Sequence, residues 1–350
     1  MSSDTYQTFL TNPVDLAGSY HLIMAGKGGV GKSFVARMIA ETILYGLKSG
    51  DIAPTIVPTT NNSQKEKGNL QFFDVDPVNH TFQSTLKEYA QRADIFISDD
   101  YSSIDDTRLD DYFLPSENPK DTRVFDIGSN QYQTLLNYFE QVSLADAFKE
   151  ENRALIFHIP LCGYGYFRES LETIIQILYA TENSKIVVWI NDYLPMPRES
   201  KVSYTIQTFF ENEENFFSSG SYQNQFSIDD LNTIIRNEDF MNFSEDQLHS
   251  VYDYIRRATN NFSYGIVLAN PKRKGGYNSI RGAINDALTR NVLFSEAIND
   301  KSLKGDRYRL KNFFILGRDS LFNQTFTVFQ KYFNDFAADS DFEPETNPES

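Results

Sequence analysis

The 350-residue sequence predicts an α/β fold in which a mostly parallel β-sheet is flanked by helices on both faces. Short apolar runs alternate with helix-period segments, as parallel strands joined by helical crossovers do. Polar or glycine residues stand at the carboxyl ends of several runs, where sheets of this kind bind ligands. A glycine-rich stretch, residues 26–33, separates the first run from the first helical segment.

Tyr20–Met24 is the first strand, and beyond the glycine stretch Phe34–Ala40 continues through Ile43 and Leu44 at helical period. Leu70–Phe73 is the second strand and ends in Asp74-Val75-Asp76-Pro77. Residues 77–81 open the next helix, with Asn79 or Thr81 as its cap. The third strand, Arg123–Phe125, ends in Asp126-Ile127-Gly128. Ala154–Ile159 is the fourth, followed by a glycine-containing loop and a helix from Glu169 to Tyr179. Lys185–Ile190 and Ser263–Leu268 are the fifth and sixth. Two segments interrupt the pattern and read as insertions: residues 94–121, with aspartate pairs at 99–100, 105–106 and 110–111, and residues 209–246, rich in Asn, Phe, Ser and acids. The expected organisation is an N-terminal extension over 1–18, one domain over 19–338, and an acidic tail over 339–350 with the composition of a disordered end.

With 40% hydrophobic and 14% aromatic residues, the chain has material for a substantial core. No run approaches the roughly 20 apolar residues of a membrane span, and the first residues lack signal-peptide character. A single cysteine, Cys162, excludes an intrachain disulfide and reads as a small packed residue, not a nucleophile. None of the four histidines has metal-ligand spacing, and His80 reads as a surface or helix-face residue. A cytoplasmic location is the expectation. The net charge of −16 repels nucleic acid on average. Residues 271–318 nevertheless hold eleven Lys or Arg against four Asp or Glu, a local basic excess.

Gly26-Lys27-Gly28-Gly29-Val30-Gly31-Lys32-Ser33 fits G-x-x-x-x-G-K-[ST], with a strand before it and a helix after it. Such a P-loop turns its amides toward phosphate oxygens at the positive end of a helix. Lys32 is then the phosphate cation and Ser33 the Mg²⁺ ligand. Residues Gly28, Gly29, Val30, Gly31, Lys32, Ser33 and Phe34 make up the candidate nucleotide-contacting run.

Lys27 ahead of the glycine pair, Asp74-Val75-Asp76-Pro77 after a strand, and Asp126 ending another strand resemble the deviant Walker A P-loop ATPases of the ParA/MinD group. GKGGVGKSF, DVDPVNHTF and VVWIN are similar to the TraL/StbB-like branch found in plasmid conjugation and stability modules, as is the stretch from Leu293 to Gln324. The resemblance covers most of residues 19–325. It implies a SIMIBI-type P-loop fold, ATP and Mg²⁺, and a homodimer with ATP at its interface. In that arrangement Lys27 reaches the phosphates of the other subunit. Asp76 stands near the attacking water, and Asp74 and Asp126 near the metal. Helix or turn capping is the competing role for Asp74. Asn191 matches the asparagine that reads adenine in the wider group, with turn capping as its alternative, and Pro271 fits the other wall of that pocket. Gly128-Ser129-Asn130 is similar to the small-residue turn lining the γ-phosphate side.

This chain departs from the branch in the bulkier loop Leu161-Cys162-Gly163-Tyr164-Gly165-Tyr166, and in Asp192-Tyr193-Leu194-Pro195 after VVWIN. Lys272, Arg273, Lys274, Arg281, Lys304, Arg307, Arg309 and Lys311 are candidate DNA-backbone contacts. A solvated surface that balances the acidic insertions is the other reading. Phe322, Phe326, Phe329, Phe333 and Phe336 share one helical face, which favours docking on the domain or a protein partner over a membrane. The function expected is a slow, partner-stimulated ATPase switch in plasmid partition, stability or conjugative transfer. The alternative is a nucleotide-dependent scaffold whose insertions bind a protein.

Overall fold

The computed structural model describes residues 13–59, 66–77, 79–93, 95, 105–162, 167–181, 184–191, 263–267, 293, 297 and 301–303. Among them are eight strands: β1 (Ser19–Ile23), β2 (Ile56–Pro58), β3 (Gly68–Asp74), β4 (Ala90–Arg92), β5 (Thr122–Asp126), β6 (Ala154–Cys162), β7 (Lys185–Asn191) and β8 (Ser263–Val267). Six helices accompany them: α1 (Lys32–Ser49), α2 (Thr81–Leu86), α3 (Asp106–Phe113), α4 (Tyr132–Gln141), α5 (Leu144–Glu150) and α6 (Phe167–Ala180). The strands form one sheet in the order β2-β3-β5-β1-β6-β7-β8, with β4 also paired to β3, and every pairing is parallel. This is the expected α/β architecture, in the arrangement of a P-loop NTPase.

β1 lies between β5 and β6, the earlier strands building outward on one side and β6–β8 on the other. All five of its residues are buried, as a strand covered on both faces requires. Alternation along the strands sorts the core into two layers. Tyr20, Leu22, Phe73, Phe125 and Phe157 face α3, α4, α5 and α6 in an aromatic layer, where Phe125 stacks on both Phe73 and Phe113, at centroid distances of 5.1 and 4.8 Å. Ile23, Phe72, Val124 and Ile156 face α1 and α2, where Val35, Met38, Ile39 and Phe82 cover them. α1 starts after Gly31 and stops at Gly50, whose φ of 85° is the left-handed conformation glycine adopts cheaply at a helix end.

Several sequence expectations shift here. The boundary at residue 18 falls inside the packing, because Val14 and Leu16 are buried and Val14 bridges to Ile52. The acidic segment 94–121 contributes Ile95, Leu109 and Phe113 to the aromatic layer. Arg123 and Arg153, each 5.1 Å from the Tyr20 ring centroid, fasten that segment from beneath. Arg123 donates to the carbonyls of Asp111 and Tyr112, and Arg153 to those of Ser116 and Asp121. Thus main-chain carbonyls receive the guanidinium donors that hold this acidic run. α2 begins at Thr81 with neither Asn79 nor Thr81 as its cap; its third amide, Gln83 N, is capped by Asp74 instead. Leu293 and Ala297 pack on the α1 side of the sheet. The segment 209–246, the phenylalanine stretch 322–336 and the acidic tail lie outside the described residues.

A buried polar chain crosses the α1 side of the sheet. The indole N–H of Trp189 donates to His158 Nδ1 at 3.0 Å, His158 Nε2 meets His21 Nδ1 at 3.0 Å, and His21 Nε2 meets Ser19 Oγ at 3.0 Å. Ser19 donates onward to the Leu16 carbonyl at 2.6 Å. Indole only donates, so the direction of each later bond follows: both imidazoles are neutral, each with its proton on Nε2. Burial pushes His21 down to about 3 and His158 well below its ordinary value, the second helped by the neighbouring ring. Acid must therefore weaken the fold. Their contribution to stability is complete above the unfolded-state value of 6.5 and is lost as pH falls toward the depressed folded values. Each imidazole should contribute a loss of about 1.4 kcal/mol per pH unit below that point. Urea denaturation at pH 6 and pH 4 should show a shallower dependence for His21→Gln than for the unsubstituted chain, by about that slope.

Candidate nucleotide site at the carboxyl edge of the sheet

The site is built on strand register. Ile23 of β1 pairs with Asp126 of β5, and Asp126 pairs with Asp74 of β3. In-register residues of parallel strands share a face, so both carboxylates stand side by side on the α1 side, at the strands' carboxyl ends. Beyond Ile23 the chain leaves the sheet as the glycine loop. Gly26, Lys27, Gly28 and Gly29 are exposed, Val30 is buried as a plug, and Gly29 and Gly31 have φ of 79° and 99°. A side chain at either of these two positions would be strained. The first loop amide, Gly26 N, donates to Thr173 Oγ1 of α6 at 3.2 Å, and Tyr132 of α4 donates to the Thr173 carbonyl.

Lys32 is only 8% exposed, and its ammonium donates to the Lys27 carbonyl at 3.2 Å, closing the loop on itself. Ser33 follows on the first turn of α1, and its hydroxyl hydrogen-bonds the Asp126 carboxylate. Asp126 is buried, and among the described residues its Oδ2 meets no hydrogen-bond donor. Burial raises its carboxyl to about 7; Asp74 and Asp76 push in the same direction, against the Ser33 hydroxyl and Lys32. The mutual influence of these groups places Lys32, Ser33, Asp74, Asp76 and Asp126 in one cluster.

Asp74 is fully buried and accepts from two amides, Asp76 N at 3.1 Å and Gln83 N at 2.9 Å. Burial raises its carboxyl, opposed by those amides and by His80. It is therefore a capping residue within the site: it joins the end of β3 to the start of α2. Asp76 is half-buried, accepting from Asn79 N at 2.9 Å. Gly128 makes the approach of two loops achievable, since a Cβ there would lie 3.1 Å from Asp76 Cα and 3.2 Å from Asp76 Cγ.

This donor set fits Mg²⁺. A hydroxyl beside a buried carboxylate with an unmatched oxygen suits an ion that keeps several waters and takes few protein ligands. Among the described residues no three His, Cys, Asp or Glu side chains form a metal cage, so any metal here needs water and phosphate to complete its shell.

Phe34 is half-buried and packs with the α1-side core. Asn191 is the last residue of β7, in register with Cys162. Pro271 and the basic candidates Lys272, Arg273, Lys274, Arg281, Lys304, Arg307, Arg309 and Lys311 lie outside the described residues. Thr173 and Tyr132, which fix the loop's first amide, carry no signature in the sequence; only the approach of α4 and α6 to the loop reveals them.

With the geometry in place, comparison with known proteins adds one relationship. Two Escherichia coli proteins, each named Protein TraL, are similar to the chain. One is 25% identical over 195 residues, covering 55% of this chain and 71% of the relative; the other is 24% identical over 196 residues with the same coverage. The chain is TraL-like over 55% of its length. No protein-family profile matches it, and no solved structure does. Among the described residues no helix is long and apolar enough to cross a membrane.

Ionising Asp126 inside the fold opposes stability. A carboxyl raised from 3.8 to about 7 contributes stability that is full below 3.8 and is lost as pH rises through about 7. Asp126→Asn should therefore be more stable than the unsubstituted ligand-free chain above pH 7, by an amount on the order of a few kcal/mol. The difference should shrink toward pH 4, as chemical denaturation at several pH values would show.

Proposed function

We propose that the chain is a Mg²⁺-dependent, ATP-driven dimerising switch ATPase acting in plasmid partition, stability or conjugative DNA transfer. The observation that carries this reading is Asp126 Oδ2, buried and without a donor among the described residues, beside the Ser33 hydroxyl and near Lys32 at the base of the glycine loop. A fold keeps such an oxygen at a cost unless something polar completes it. Mg²⁺, when bound, supplies charge neutralisation to the β- and γ-phosphate oxygens.

The chain's own residues divide the remaining work. The exposed loop amides cradle phosphates, Lys32 leaves the Lys27 carbonyl for a phosphate oxygen, and Ser33 and Asp126 hold the metal and its water. Asp76, at the lip of the site, orients the attacking water. Asp74 ties the site to α2 through Gln83, so a change at the phosphate end reaches a helix that packs against α1. Lys27 sits on the exposed outer side of the loop, where its ammonium meets the phosphates held by a second protomer. The plasmid role rests on the TraL-like sequence together with the GKGGVGKSF, DVDPVNHTF and VVWIN motifs.

A second reading, a nucleotide-dependent scaffold, is favoured by α3, which is fastened to the core while Arg108 and Asp111 stay exposed. Stimulation of turnover by DNA or a protein partner favours the switch, whereas partner binding that depends on ATP without stimulation favours the scaffold.

ATP titrations with and without Mg²⁺, paired with light scattering, test the proposal. Lys32→Ala should lose ATP affinity by about 10²-fold or more. Lys27→Ala should still bind ATP, fail to dimerise, and turn over about 10²-fold more slowly. A Lys27→Ala chain that dimerises normally with ATP sinks the two-subunit site.

A further inference from the structure

Gln131 is the position before α4, five residues beyond Asp126 at the end of β5. Its amide donates to the Gly128 carbonyl at 3.2 Å. Its carboxamide folds back over Gly128: a Cβ at residue 128 would strike Gln131 Oε1, and the same point lies 3.1 Å from Asp76 Cα and 3.2 Å from Asp76 Cγ. Gln131 and Asp76 therefore approach each other from two loops over Gly128, whose missing side chain leaves room for the Gln131 carboxamide. Gln131 is 5% exposed, and among the described residues its Oε1 meets no hydrogen-bond donor. An acceptor buried unmatched destabilises a fold. A helix could start here with an apolar side chain and avoid that loss.

We infer that Gln131 is a second positioning residue for the nucleophilic water, acting with Asp76. This rests on the ATPase reading above. An amide oxygen and a carboxylate both accept hydrogen bonds. A water between them directs both of its O–H bonds into the protein and turns a lone pair outward. In hydrolysis that lone pair forms the bond to the γ-phosphorus. The bond from phosphorus to the bridging oxygen breaks, its electron pair leaving with ADP, and the proton shed by the water passes to Asp76. Gln131 takes no proton, because an amide oxygen is too weak a base; it fixes orientation alone.

Full-length Gln131→Met and Gln131→Ala chains test this against the unsubstituted protein, with thermal unfolding of the ligand-free chain, ATP affinity and turnover as readouts. Met keeps the length of the side chain and removes the unmatched acceptor. Gln131→Met should melt at the same temperature or higher, bind Mg·ATP within about twofold of the unsubstituted chain, and lose about 10²-fold in kcat with KM little changed. The alanine variant should show the same split between kcat and affinity. Turnover at the unsubstituted rate in either variant overturns the inference and leaves the ATPase reading standing. Parallel losses of melting temperature, affinity and turnover in both variants mark Gln131 as structural and also overturn it. An unsubstituted chain that binds ATP and never turns it over removes the ATPase reading, and this inference with it.

Discussion

Parallel pairing without a slip puts Ile23, Asp126 and Asp74 in one row across β1, β5 and β3. The rest of the site hangs from that row. A slip of one residue between β5 and either neighbour would turn Asp126 to the aromatic layer, because side chains alternate faces along a strand. The apolar neighbours make such a slip costly: Phe125 must stack on Phe73 and Phe113, and Val124 must face α1. The hydrophobic sorting of a central strand thereby delivers a carboxylate to the base of the glycine loop. No local preference of aspartate is needed to bring it there.

Polar groups do comparable work on the sheet's two faces, in different ways. The Trp189–His158–His21–Ser19 chain joins β7, β6 and β1 on the α1 side with a defined direction, since its first member can only donate. Such a satisfied network favours one register of those strands over others. On the opposite face Arg123 and Arg153 stack on Tyr20 and spend their donors on carbonyls of residues 111–121. An acidic run is thereby fixed through its backbone, while the carboxylates of Asp110 and Asp121 accept from Tyr138 and Asn69.

Around the glycine loop the accounting is different. Asp126 Oδ2 and Gln131 Oε1 are buried acceptors without donors among the described residues, and both lie at or just beyond the carboxyl end of β5. Asp74 is the contrast, with two amides on its carboxylate. Asp126 Oδ2 belongs to the carboxylate beside Ser33 and Lys32, and Gln131 Oε1 lies over Gly128 near Asp76, whereas the matched carboxylate of Asp74 holds α2. Stability is withheld where a ligand would bind and supplied where the helix must be held.

Residues 26–33 carry their own geometry, because glycine at 29 and 31 tolerates the left-handed backbone and Lys32-Ser33 follow at fixed spacing. The strand cores from Leu70, Arg123, Ala154, Lys185 and Ser263 are equally local, since their apolar runs need only a sheet to enter. The short edge strands β2 and β4 were not legible: three residues each, they exist only because β3 offers them a free side. Capping was one of the two roles open to Asp74, but the amide it holds was not legible, since Gln83 lies nine residues away. The same is true of Thr173 against Gly26, 147 positions apart. By itself the sequence determined the alternation of strand and helix, the phosphate-loop backbone and the residue types at the strand ends, all set by periodicity and local conformational preference. Only the tertiary structure decided which carboxylates are buried, which are capped and which face the loop, because burial and hydrogen bonding depend on neighbours distant in the chain.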